Sequence, residues 1–181
     1  MMFARTKRLT LRPGWPEDAP ALHAAIAHED VAMKLARLPW PYRLADAAAF
    51  LALPRGATDA SFLIFDHAHG CPRLVGGVGL MPGPDTYELG YWLTPAAWGR
   101  GYATEAARAV IEMARHALPV SRLRAHHQLD NAGSARVLAK LGFRQIGTES
   151  RASLARGRMI ECATCELDLT EGGDPEMQIA A

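Results

Sequence analysis

Between Glu88 and Thr104 the chain runs from an apolar stretch, Glu88-Leu89-Gly90-Tyr91-Trp92-Leu93, through Pro95 into Trp98-Gly99-Arg100-Gly101-Tyr102-Ala103-Thr104, and on into apolar residues at helical spacing. A strand feeding a glycine-spaced turn that opens a helix predicts a phosphate site. Such a turn aims several main-chain N–H groups into one concavity. The first N–H groups of the helix lack intrahelical partners, so an anion gains hydrogen bonds and the helix dipole together. The spacing fits neither common nucleotide pattern. No Gly-x-x-x-x-Gly-Lys-Ser/Thr run exists, and Gly99-x-Gly101-x-x-Thr104 puts threonine where a dinucleotide fingerprint has its third glycine.

Around this segment the elements alternate without repeats. Residues 5–12 read as a strand, and Pro16-Glu17-Asp18 opens a helix with Ala19, Leu22 and Ile26 on one side and the acids in its first turn. Residues 39–42 read as a loop, 45–53 as a second helix, and 61–66 and 73–81 as strands. Pro82-Gly83-Pro84-Asp85 turns the chain into a strand over 86–93. After the phosphate turn, Ala103, Ala106, Ala107, Val110, Ile111 and Ala114 recur at helical spacing, and such small residues let a helix lie close on a sheet. A strand over 122–128 follows, then a helix over 131–141 with Asn131 as N-cap and Gly142 just past its end. Strands over 143–149 and 159–169 close the sheet. The order implies a mixed α/β sheet, antiparallel in its first half and parallel at the turn.

What remains of the turn, Trp98-x-x-Gly101-x-Ala103, resembles the pyrophosphate-binding segment of the GCN5-related N-acetyltransferases (GNAT), Gln/Arg-x-x-Gly-x-Gly/Ala before a helix; Trp98 departs from it at the first position. Further segments in order resemble the RimJ/RimL-type branch, which acetylates ribosomal-protein N-termini. They are Thr6 to Pro13, Leu38-Pro39-Trp40-Pro41-Tyr42, Glu88 to Leu93, the run from Trp98 on to Glu105, and Asn131-Ala132-Gly133-Ser134 on to Gly142-Phe143-Arg144. The resemblance implies the GNAT fold, a central twisted mixed sheet of about seven strands flanked by four helices. One such domain would occupy residues 1–170, leaving a frayed tail over 171–181. It also implies acetyl-CoA as co-substrate and no metal.

In that family the strands beside the turn splay apart, and the pantetheine arm of the cofactor uses the main chain of the first, here Tyr91, Trp92 and Leu93. Gly99, Arg100, Gly101, Ala103 and Thr104 would hold the pyrophosphate. Asn131 would meet the pantetheine arm, or serve as an N-cap alone. Acetyl transfer needs a neutral amine, a polarised carbonyl and a thiolate that is protonated as it leaves. An α-amino group, with a pKa of about 7.7–8.0 against about 10.4 for lysine, needs only a modest base. Glu88, at the start of the strand, is the candidate base; the competing reading is a strand residue paired with an arginine. Ser134 is the candidate proton donor to the thiolate, or else a first-turn serine that satisfies helix N–H groups. By resemblance, Trp40 and Tyr42 would wall the acceptor side with the last turn, around Arg151 to Arg158. His126 and His127 adjoin it, and of two strand neighbours one must face away.

The composition accommodates this reading. At 181 residues and 49% hydrophobic content the chain can bury one substantial core. No apolar run of about 18 residues could span a bilayer and no signal-peptide core precedes the first strand, so a cytoplasmic protein is expected. Three cysteines form no disulfide framework, and Cys162 and Cys165, three apart on a strand, point to opposite faces and make a poor metal pair. The net charge is only +1, yet residues 96–160 carry 11 Lys/Arg against 4 Asp/Glu. Arg136, Lys140 and Arg144 would either attract a phosphorylated cofactor or form a solvated face. No aromatic-interleaved basic run or reader motif points to nucleic acid. Without a Gly-x-Ser-x-Gly elbow, and with Cys71 beside Pro72, direct transfer is expected rather than an acyl-enzyme. The expected reaction is acetylation of a primary amine, first a protein or peptide N-terminal α-amine. Small amines (antibiotics, polyamines, amino acids) and a non-catalytic acyl-CoA-binding module are the alternatives, and a homodimer is left open.

Overall fold

Chain reversal at Thr6, whose N–H donates to Leu9 O and whose hydroxyl accepts from Leu9 N–H, splits the first expected strand into a hairpin, β1 (Ala4–Arg5) and β2 (Leu9–Arg12). The computed structural model describes residues 3–54, 60–68, 70–83 and 85–170, so the tail expected over 171–181 and Pro84 of the expected turn lie outside the described residues. Three helices follow: α1 (Ala19–Ile26), entered through a 3-10 turn at Pro16–Asp18, the single turn α2 (Glu29–Ala32), and α3 (Leu44–Leu51). Then come β3 (Ala60–Asp66), β4 (Arg73–Pro82) and β5 (Tyr87–Leu93), the helix α4 (Tyr102–Ala117), β6 (Arg122–Gln128), α5 (Ala132–Lys140), β7 (Arg144–Ser153) and β8 (Arg158–Asp168). Among the described residues, eight strands and five α-helices thus stand where about seven and four were expected. The extra pieces are the short hairpin strand and the single turn α2.

The strands form one sheet in the order β1-β2-β3-β4-β5-β6-β8-β7, parallel only between β5 and β6, where α4 makes the crossover. Side chains alternate between its faces. Phe62 and Ile64 of β3, with Leu89 and Leu93 of β5, pack under the alanine-rich stripe of α4 in one apolar cluster. Leu63 and Phe65 turn the other way, into a cluster with Leu22 and Ile26 of α1 and Ala47 and Leu51 of α3. The three early helices thus cover β3 to β5 on one face, and α4 and α5 cover the other. The glycines of β4 serve this packing: a Cβ on Gly77 would stand 2.5 Å from the Trp92 indole nitrogen, so the ring lies against a bare backbone.

The helix ends follow the sequence closely. Asn131 caps α5 by accepting from Ser134 N–H at 3.1 Å. At the other end Gly142, at φ +88°, lets Phe143 N–H reach Leu138 O and Gly142 N–H reach Ala139 O, the paired bonds of a Schellman stop.

Candidate active site

The phosphate turn is built on two glycines in the left-handed region, Gly99 at φ +74° and Gly101 at φ +78°, the second being the N-cap of α4. A side chain at either position would strain the backbone, which explains the glycine spacing. Arg8 clamps the turn from the β1–β2 hairpin. Its Nη1 donates to Arg100 O at 2.9 Å, its guanidinium pairs with Glu105 at 2.7 Å, and it lies over the Tyr102 ring. Glu105 also accepts from Thr6 Oγ1 and Arg8 N–H, and these contacts hold its carboxyl below the usual range against the upward push of burial. Tyr102 pins the turn from beneath by donating to the buried Asp66 at 2.8 Å. A cavity of about 410 Å³ opens over the helix start, lined by Arg8, Gly101, Thr104, Glu105, Arg108 and Lys140. Lys140 was among the expected basic residues. Arg8 and Arg108 were not, and no local spacing marks a residue 97 positions from its partner.

Pairing between β5 and β6 covers only Tyr87↔Leu123, Glu88↔Arg124 and Leu89↔Ala125, and beyond it the strands part. Antiparallel bonding to β4 alternates along β5, and Thr94 N–H donates to Val75 O, so Trp92 and Gly90 direct their polar main-chain groups to β4. Tyr91 and Leu93 direct theirs into the gap. Of the three residues expected to serve the pantetheine arm, Trp92 therefore presents no main-chain group to it. Trp98 closes one position further: its indole N–H donates to Leu93 O at 2.9 Å. The gap, the left-handed turn and the basic cavity fit an elongated, phosphate-bearing ligand along β5. Among the described residues no cluster of His, Cys, Asp and Glu is suited to a metal ion.

Asn131 uses Oδ1 as the N-cap, and Ser134 Oγ lies 2.7 Å from Tyr91 OH. A hydroxyl pair thus faces the α5 side of the gap. Burial pushes the Tyr91 phenol up to about 12, although its bond to Ser134 pulls the other way, so it stays protonated. Periodicity alone places Tyr91 on that face, but a partner 43 residues away leaves no signal.

Glu88 points to the opposite face, where among the described residues no helix covers β6 to β8. Both its oxygens accept from Arg151, at 2.9 and 3.0 Å. His126 Nδ1 lies 3.3 Å from Glu88 Oε2 without hydrogen-bond alignment, and His126 Nε2 lies 3.1 Å from Glu149 Oε1, which is also 3.4 Å from Arg151 Nε. Burial pushes the Glu88 carboxyl up, but His126 and the Arg151 guanidinium outweigh it and hold it down to about 2. The arginine pairing weighed for Glu88 is present. His126 is the histidine turned toward the site, while the His127 Nδ1 stays with the Gln128 carbonyl.

On this face the chain between α2 and α3 crosses the sheet. Met33 O accepts from Gln128 Nε2 at 2.8 Å and from Arg156 Nε at 3.0 Å, Ala36 O accepts from Leu154 N–H, and Arg156 also pairs with Asp130. Trp40 remains 37% exposed beyond it. Tyr42 is 8% exposed and stacks on His23 within the α1–α3 core, where burial first and then Asp46 push its phenol up to about 12. Its neighbours are thus core residues, in contrast to exposed Trp40. Cys162 and Cys165 are both buried on opposite faces of β8, the first beside Arg151 and Glu149 and the second in the α4 cluster.

Residues 8–144 match the acetyltransferase (GNAT) domain family. The uncharacterized N-acetyltransferase YnaD of Bacillus subtilis (strain 168) is 29% identical over 148 residues, which span 81% of this chain and 85% of that protein. Among solved structures, an acetyltransferase (GNAT family) from Bacillus anthracis superposes with a TM-score of 0.80 at 25% identity, over 94% of this chain and 100% of that one. RimL, a ribosomal L7/L12 α-N-protein acetyltransferase solved with coenzyme A, superposes with a TM-score of 0.76 over 92% of this chain and 98% of its own. At 18% identity that likeness is one of fold.

Proposed function

Because the chain belongs to the GNAT family of acetyl-CoA-dependent N-acetyltransferases, we propose that its acceptor is a weakly basic primary amine, a protein or peptide N-terminal α-amine. The observation that carries this is Glu88. A carboxylate bonded through both oxygens to Arg151, and so held well below the usual carboxylate range, is a weak base, unsuited to stripping the proton from an alkylammonium ion. An α-amine with a pKa of about 7.7–8.0 is already partly neutral near pH 7, whereas a lysine-like amine at about 10.4 is almost wholly charged. Ionised Glu88 attracts the acceptor and takes a hydrogen bond from it or from a water beside it. Once the amine has attacked, its N–H is far more acidic, and this carboxylate suffices to receive the proton.

Acetyl-CoA supplies the acetyl group as a thioester. The gap-facing main-chain groups of Tyr91 and the N–H of Leu93, whose carbonyl is taken by the Trp98 indole, hold the arm; the N–H groups at Gly101 to Thr104 hold the pyrophosphate, and Arg8, Arg108 and Lys140 add positive charge. Ser134 Oγ gives a proton to the departing sulfur and regains one through Tyr91 OH, which takes its own from solvent, so both hydroxyls end protonated. The test is mass spectrometry of one mixture of the protein, acetyl-CoA, peptides of varied N-termini, polyamines, amino acids and aminoglycosides. Acetylated peptide α-amines are expected. Exclusive acetylation of a polyamine or aminoglycoside would overturn the α-amine assignment, and no product at all would make the chain an acyl-CoA-binding module.

A further inference from the structure

The segment 33–37 lies across the parted ends of β5 and β6, with Leu35 packed on the α1–α3 cluster and Arg37 Nη1 3.9 Å from Met81 Sδ, and its contacts with the two sides of the gap differ in kind. On the β6 side it is held by hydrogen bonds: Gln128 Nε2 and Arg156 Nε both donate to Met33 O, and Leu154 N–H donates to Ala36 O. On the β5 side Lys34 Nζ stands 4.2 Å over the ring of Trp98, the residue whose indole N–H holds Leu93 O. Lys34 is exposed and Trp98 is 41% exposed, so this mooring is a solvent-facing cation–π contact of the weaker sort. Gln128 itself is 5% exposed, which makes the opposite mooring a buried one. Trp98 thus touches both the strand end that borders the cofactor gap and the strap over the acceptor face.

The geometry points to a latch: Lys34 on Trp98 couples occupancy of the cofactor gap to closure of the strap 33–37 over the acceptor face. The inference rests on the reading of the gap as a coenzyme A site and adds a route by which that site informs the acceptor side. Ligand along Tyr91 to Leu93 fixes Leu93 and with it the indole. A fixed ring holds Lys34 better than a mobile one, and the strap then opens less often. Such coupling requires the ligand to favour the closed strap over the open one, and the latch is the contact that supplies the difference. Lys34 and Trp98 are positioning residues here.

The test is amide hydrogen exchange of residues 33–38 with and without coenzyme A, alongside calorimetric binding of coenzyme A. Met33, Lys34 and Leu35 N–H donate to Glu29, Val31 and Ala32 carbonyls, so their exchange reports opening of the strap. In the wild type, coenzyme A is expected to slow this exchange several-fold. In Lys34→Met the slowing is expected to vanish while the calorimetric affinity stays within about twofold, and Lys34→Arg, which keeps a cation over the ring, restores it. In Trp98→Leu, Lys34→Met should have no further effect, as a double-mutant cycle requires of two residues acting through one contact. Binding without any change in strap exchange overturns the latch, as does a change that survives in Lys34→Met at unaltered melting temperature. Absence of coenzyme A binding to the wild type would instead sink the reading of the gap and the latch together.

Discussion

Glu88 and Ser134 differ in role and lie toward opposite faces of the sheet, and each has a partner that changes what it does. For Glu88 the partner is Arg151. Its carboxyl sits at about 2 in the folded chain against an ordinary 4.5, so the unfolded chain binds more protons in the interval between. The stabilisation is complete above the unfolded value and drains as pH falls toward the folded one. Arg151→Met should therefore be less stable near neutrality and lose less stability on acidification, as urea midpoints across an acid pH series would record. Glu88→Gln should lower kcat on the order of 100-fold, a usual share for a positioned proton acceptor, with coenzyme A affinity unchanged by calorimetry; loss of that affinity would place Glu88 in the cofactor site. Ser134→Ala should lower kcat on the order of tenfold, with Tyr91 OH left to protonate the sulfur, and the double change with Tyr91→Phe should cost more than either. Both are candidates, Glu88 from its place on the strand and Ser134 from the resemblance carried by the Asn-Ala-Gly-Ser run. Their partners, Arg151 and Tyr91, lie 63 and 43 positions away, and contact at such separation leaves no periodic trace.

Elements were most legible where local chemistry dictates them. Gly142 ends α5 and Asn131 begins it because a left-handed stop and an N-cap are local requirements. The phosphate turn belongs to the same class: Gly101→Ala meets no clash, its nearest neighbour being Arg8 Nη2 at 3.5 Å, but it forces a side chain to φ +78°. Backbone strain of about 1–2 kcal/mol is expected, seen as a lower denaturation midpoint, together with weaker coenzyme A binding. Less legible were the split of the first strand at Thr6, the single turn of α2, and the length of β7, which continues to Ser153. The strand β7 is an edge, exposed through most of its length, so no burial pattern marks its end. The parting of β5 from β6 was expected from resemblance alone, since a pairing gap has no composition. The direction of each main-chain group along β5 was implicit in the period of two, and it separates Trp92 from Tyr91 and Leu93.

At the scale of the whole molecule, both apolar clusters are built on the same sheet, with Leu63 and Ile64 of one strand facing opposite sides. Neither cluster can lose its strands without exposing the other. Calorimetric unfolding is accordingly expected as one transition, with calorimetric and van't Hoff enthalpies in agreement; two resolved transitions would divide residues 1–170. The alternation of β5 has a longer reach. Its odd residues face α4 and α5 with the hydroxyl pair, and its even residues face the strap, Arg151 and the bare strands beyond. Substitutions on one set leave the other set's neighbours untouched. Lineages descended from such a chain can therefore change what they modify, by rewriting the even side, while inheriting intact the means of carrying the group they attach.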